Sequence, residues 1–146
     1  MKKAILPIMA AIVLALGFSS CQHQTMETME VTITAGNWVT TDAVSYYFAT
    51  VRWDELDEDV VDYGTVNAYL IENGRQNLLP YVYPIDYSTY DENGDVVGDY
   101  VFVPENLRFD YRYGEITFII SDLDGMAPEG MSNIPPMTFR VVAIGD

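Results

Sequence analysis

Apolar and polar residues alternate along most of the chain, and nearly every stretch reads as β-strand. Met29, Val31 and Ile33 alternate with Glu30, Thr32 and Thr34, a period of two. Residues 44–53 are rich in aromatic and β-branched side chains and put Tyr47, Ala49, Val51 and Trp53 on one face. A further strand over 65–71 runs into Asn73-Gly74, which suits a two-residue type I′ hairpin because both central positions take positive φ. Residues 76–80 then return. Residues 81–90 are extended but carry Pro84, which confines them to a sheet edge or a crossover. Asn93-Gly94 marks another turn, followed by a strand over 96–103.

Leu107, Phe109, Tyr111 and Tyr113 alternate cleanly, with Arg108 and Arg112 on the opposite face. Gly114-Glu115 fits a type II′ turn, after which Ile116, Phe118 and Ile120 return. Gly and Pro are frequent over 121–136, a long loop, and 137–144 is the last strand. Residues 56–63 are the sole helical candidate, for one turn at most. Seven or eight short strands with frequent turn signals predict an all-β chain, an antiparallel β-sandwich. Trp38, Trp53, Tyr111 and Tyr113 are the expected aromatic core.

The first thirty residues break this pattern. Lys2 and Lys3 precede an apolar run over 4–17, and Phe18-Ser19-Ser20 leads to Cys21. Charge, apolar run and small residues before a cleavage point make a secretory signal peptide over 1–20. The run is short of the ~20 residues a membrane span needs. The residues up to Cys21 resemble a bacterial lipobox, with Phe18 where Leu is usual. That resemblance implies that Cys21 is acylated and becomes the first mature residue. Stable anchoring then follows from two or three acyl chains. Residues 21–30 are expected to be a lipidated tether, and 31–146 the sandwich domain.

Losing the leader changes the charge. The chain carries seven basic and 22 acidic residues, for a net charge of −15. Both lysines lie in the leader, so five arginines (Arg52, Arg75, Arg108, Arg112, Arg140) remain against 22 acidic residues, a net charge of −17. Such a surface repels nucleic acid and anionic headgroups alike. The acyl group on Cys21 is therefore the expected membrane partner.

Trp38, Tyr46-Tyr47-Phe48, the run Val61-Asp-Tyr-Gly64-Thr-Val66-Asn-Ala-Tyr69 and Leu79-Pro80-Tyr81 look like the small Bacteroidetes lipoproteins with an immunoglobulin-like domain. Gly114-Glu-Ile-Thr-Phe118, Ser121-Asp122 and Phe139-Arg140-Val-Val fit the same pattern. The likeness covers most of 30–144 and rests on core and turn residues. It implies an immunoglobulin-like sandwich at the cell envelope, and implies no activity. Surface-exported lipoproteins of that phylum are similar to one another in carrying an acidic run after the cysteine. Gln22-His23-Gln24-Thr25-Met26 is not one, which favours the periplasmic face of the outer membrane.

Several chemistries are excluded. His23 is the one histidine and lies beside the expected lipid, so no Ser-His, Cys-His or His-metal arrangement is available in the domain. No lysine is left for a Schiff base, and no Gly-rich phosphate loop is present. Carboxylates remain: a suitably spaced pair is the basis of the alternative in which the chain is a carboxylate-based glycoside hydrolase. Asp91, Asn93 and Asp95 alternate like the opening of a Ca²⁺ loop, although Gly94 falls early and no closing glutamate follows. Asp, Asn and Gly suit a plain hairpin turn equally. The acidic connection Asp54, Glu55, Asp57, Glu58, Asp59 and Asp62 reads as a solvated loop or a cation site. Tyr81, Tyr83, Tyr87, Tyr90 and Tyr100 cluster near Pro84 and are the expected binding surface, for a partner strand or a sugar ring. The expected function is a non-catalytic binding or structural module for an envelope protein or glycan. A calcium-stabilised glycan binder is its more specific form.

Overall fold

The computed structural model describes residues 24–128 and 134–145. Cys21 and His23 lie outside the described residues. Eight strands run in order: β1 Thr25–Ile33, β2 Tyr47–Arg52, β3 Thr65–Glu72, β4 Arg75–Leu78, β5 Tyr81–Asp86, β6 Phe102–Arg112, β7 Glu115–Ser121 and β8 Met137–Gly145. They form two four-stranded antiparallel sheets, β1-β8-β3-β4 and β2-β7-β6-β5. The all-β sandwich expected from the alternation is what the chain forms. Within it β1 lies beside β8 and β2 beside β7, whereas the immunoglobulin order sets its first strand beside its second.

Each sheet turns one face inward because its side chains alternate. On β8, Met137, Phe139, Val141 and Ala143 are buried, while Thr138, Arg140 and Val142 face outward. On β2, Ala49 points in as expected, and Trp53 just beyond its end is buried. Phe118 and Phe139 stack across the two sheets at 4.3 Å between centroids, and Trp38 meets Phe139 edge-on at 6.5 Å. Close aromatic pairs of this kind add to the apolar area they remove from water.

The β3–β4 hairpin matches the pattern: Asn73 and Gly74 both have positive φ, 49° and 75°. The β6–β7 hairpin does not. Arg112 pairs with Glu115, so the turn residues are Tyr113 and Gly114, with positive φ at Gly114 alone. Moving the turn back by one residue takes Tyr113 out of the strand. It is 56% exposed, not core. Tyr111 packs against the core as expected.

The expected tether over 21–30 is also corrected. From Thr25 onward the chain is β1, paired residue for residue with β8 as far as Thr25 against Gly145. Thr25 to Thr28 are all exposed, because this end of an edge strand buries neither face. A strand without a buried face shows no hydrophobic alternation.

Residues 56–63 give the expected helical turn. Leu56 and Val60 plug one end of the sandwich, and Asp57 Oδ1 accepts the Val60 N–H at 3.1 Å. Gly64 follows for a steric reason: a Cβ there would lie 2.1 Å from the Ile144 carbonyl oxygen.

Candidate functional site

The five tyrosines expected to form one surface are divided. Tyr81, Tyr83 and Ile85 point to the inner face of β5, and Tyr81, Tyr83 and Tyr87 pack against the core. Burial, followed by the Glu72 carboxylate, pushes the Tyr83 hydroxyl up to about 12. Tyr90 and Tyr100 stay outside. Tyr90 donates to the Asp86 carboxylate, which holds the Tyr90 hydroxyl above its ordinary range. Tyr100, 69% exposed, stacks on exposed Phe102 at 6.3 Å. β5 is a sheet edge, as Pro84 required, and Pro84 lies opposite Pro104 of β6.

Asp91, Asn93 and Asp95 form a hairpin turn. The Asp91 Oδ1 accepts the backbone N–H groups of Asn93 and Asp95, each at 2.9 Å, and Gly94 takes positive φ. The same turn recurs at Asp122: its Oδ1 accepts the N–H groups of Asp124 and Met126, and Gly125 has positive φ. In both, an aspartate side chain stands in for a backbone carbonyl, the role for which turns select it. Asp91 Oδ1 is thus engaged within its turn, as Asp122 Oδ1 is. Among the described residues no three His, Cys, Asp or Glu side chains gather to hold a metal ion. Half of the acidic connection is engaged in the same local way: Asp54 pairs with Arg52, Asp57 accepts the Val60 N–H, and Asp62 accepts the Tyr113 hydroxyl at 2.5 Å.

A different surface has the shape of a site. The outer face of β2, β7 and β6 carries a groove of about 600 Å³. Its apolar part is Tyr46, Phe48 and Ile119. Phe48 and Arg108 flank Ile119 in register, and Ile119 is only 2% exposed although it points away from the core. Tyr46 meets Phe48 edge-on at 6.4 Å, and the Arg108 guanidinium lies 5.2 Å from the Tyr46 ring centre. Such a cation over an aromatic face fixes the ring from one side. Its polar part is the next rows: Thr50 with Thr117, hydroxyls 3.0 Å apart, then Asp110, and Arg112 paired with Glu115.

No family model, curated protein or solved structure matches the chain. The site is therefore argued from its own geometry. Half-buried rings beside a row of hydroxyls, a carboxylate and an ion pair offer stacking area and both donors and acceptors. That combination suits a flat, hydroxyl-bearing ligand.

Sequence reasoning missed Tyr46, Phe48 and Arg108 as site residues. A signal was present: Phe118-Ile119-Ile120 is apolar without interruption. In an alternating strand one of the three must face outward, and something must cover it.

Proposed function

We propose that the chain is an exported lipoprotein of the outer membrane, anchored through an acylated Cys21, whose sandwich is a non-catalytic module that binds a glycan. The observation that carries the binding part is the outer-face groove, where Tyr46 and Phe48 stand beside Thr50, Thr117 and Asp110. The address rests on the sequence: Lys2-Lys3, the apolar run to Gly17, Cys21 behind small residues, and the likeness to small Bacteroidetes lipoproteins. The periplasmic face is the favoured one.

Glu105 and Asp122 are two carboxylates that line one cavity, so they are where the hydrolase alternative has to be judged. Glu105 is 1% exposed, and Asp122 is bound to its own turn. A buried carboxyl and one that holds a turn are poorly placed to act as acid and base on either side of a glycosidic bond, and this supports binding over catalysis.

Two experiments test the proposal. Oligosaccharides of envelope and host type are titrated into the protein while backbone and methyl resonances are followed. Saturable shifts at Phe48, Thr117 and Ile119 are expected, and shifts confined to other faces sink the glycan reading. For the anchor, cells carrying Cys21→Ala are fractionated, and the protein should move from the membrane pellet to the soluble fraction.

The exposed apolar stripe of Tyr100, Val101 and Phe102 favours a second reading, an envelope protein as partner. Cross-linking in cells from position 100 separates the two: capture of one defined protein at that position supports this reading.

A further inference from the structure

A cavity of about 440 Å³ lies on the inner side of β6, under the chain that follows β7. Val103, Met126, Ala127 and Pro128 form its apolar wall, and Glu105 and Asp122 its acidic one. Glu105 is almost wholly buried. Its Oε1 accepts the Tyr87 hydroxyl at 3.2 Å, and its Oε2 is buried with no hydrogen-bond partner among the described residues. A buried polar oxygen without a partner is costly and is rare in folded proteins. Asp122 uses Oδ1 for two amides of its own turn, which leaves Oδ2 for a further donor.

No described cation serves this pair. Arg52, Arg112 and Arg140 are paired elsewhere, Arg108 stacks on Tyr46 at the opposite face, and Arg75 opens β4 in the other sheet. Burial, with the Asp122 charge adding to it, holds the Glu105 carboxyl above the ordinary carboxylate range despite the Tyr87 hydrogen bond.

We propose that this cavity is a binding site for a primary alkylammonium ion, with the ammonium on Glu105 Oε2 and Asp122 and the alkyl stem along Val103, Met126 and Pro128. An ammonium has three donors and no acceptor, so it meets separate oxygens well. A guanidinium fits less well. Its planar fork engages both oxygens of one carboxylate, and Oε1 of Glu105 is already taken by Tyr87. Met126 is exposed and unbranched, a side chain that can adapt to an alkyl stem. Two sources offer this chemistry, a lysine side chain of a protein and a free polyamine. The site lies on the inner side of the sheet whose outer face bears the groove, and it stands whether or not that groove takes a glycan.

The test uses the full chain and n-butylammonium chloride, with 1-butanol and matched sodium chloride as controls. Saturable shifts are expected at the Met126 and Val103 methyls with butylammonium alone. Glu105→Gln should weaken binding at least tenfold while thermal unfolding stays cooperative. Asp122→Asn, which retains the Oδ1 acceptor and so the turn, should weaken it by less. Tighter binding of a blocked lysine derivative than of cadaverine assigns the source to a protein side chain, and the reverse order assigns it to a polyamine. Equal shifts with 1-butanol, or unchanged affinity in Glu105→Gln, overturn the proposal.

Discussion

The two outward faces of the sandwich use the same devices to different ends. On the β1-β8-β3-β4 sheet, Thr32 meets Thr138 at 2.8 Å and Glu30 meets Arg140 at 3.0 Å. On the β2-β7-β6-β5 sheet, Thr50 meets Thr117 at 3.0 Å and Arg112 pairs with Glu115. The difference lies in the middle of the central row. Arg140 stands between Glu30 and Tyr69 on one face, and Ile119 stands between Phe48 and Arg108 on the other. A charge at the centre closes a face with local pairs. An isoleucine at the centre has to be roofed, and rings that roof one apolar side chain present further apolar surface to a ligand. A buried outward isoleucine with rings beside it thus gives this sheet face its groove.

The largest expected effect tests the roof itself. Ile119→Ala should cost about 2–5 kcal/mol in urea unfolding, the range for a buried aliphatic truncated to alanine. Val142→Ala on the other face should cost about 1 kcal/mol, nearer the surface norm. Equal losses would break the contrast between the faces.

Next comes the inner side of the groove-bearing sheet, where Glu105 tests whether that sheet carries its charge only on the outside. Its folded-state pKa is raised, chiefly by burial. The native state then holds a proton that the unfolded chain releases near pH ~4.3. The protonated carboxyl's contribution to stability is therefore complete below that pH and is lost as pH rises through the folded value. Glu105→Gln should remove this decline, measured as the melting temperature from pH 3.5 to 8. A parallel decline in the variant would show that the burial of Glu105 has no energetic consequence.

Ligand binding separates the faces directly. Tyr46→Ala should weaken glycan binding about tenfold, equivalent to ~1.4 kcal/mol, and Arg140→Ala should leave it unchanged. The smallest effects come from the charges at the two centres. Arg108→Gln should lose about 0.5–1 kcal/mol through the Tyr46 contact. A double-mutant cycle on Glu30 and Arg140 should return about 0.2–1 kcal/mol, the range for an exposed pair.

Most strands with a buried face could be read directly, since inward residues such as Ala49, Phe118 and Phe139 recur at every second position. β6 could not, because in place of the strand expected over 96–103 one continuous strand runs from Phe102 to Arg112. The Asn73-Gly74 turn was equally legible, because its chemistry is local. β1 could not be read before Met29. Its first residues are exposed on both sides and are strand only because β8 supplies the pairing. The Tyr113-Gly114 turn was misplaced by one residue because glycine suits either central position, and only the register with β7 selects between them. The groove stayed hidden for a third reason. Tyr47 shares the inward face of Ala49, and its neighbours Tyr46 and Phe48 therefore turn outward, where alternation alone gives them no role.

The first strand has a mechanical consequence. Thr25 is four residues beyond Cys21, a span of at most ~14 Å in extended chain. With Cys21 held in a bilayer, a pull on a bound ligand enters the domain at Thr25. It meets nine successive residue pairs between β1 and β8. A load directed along the strand is shared among those pairs in shear, so they yield together and not one at a time. On the proposed anchoring, the first strand would be the clasp through which the membrane loads the domain.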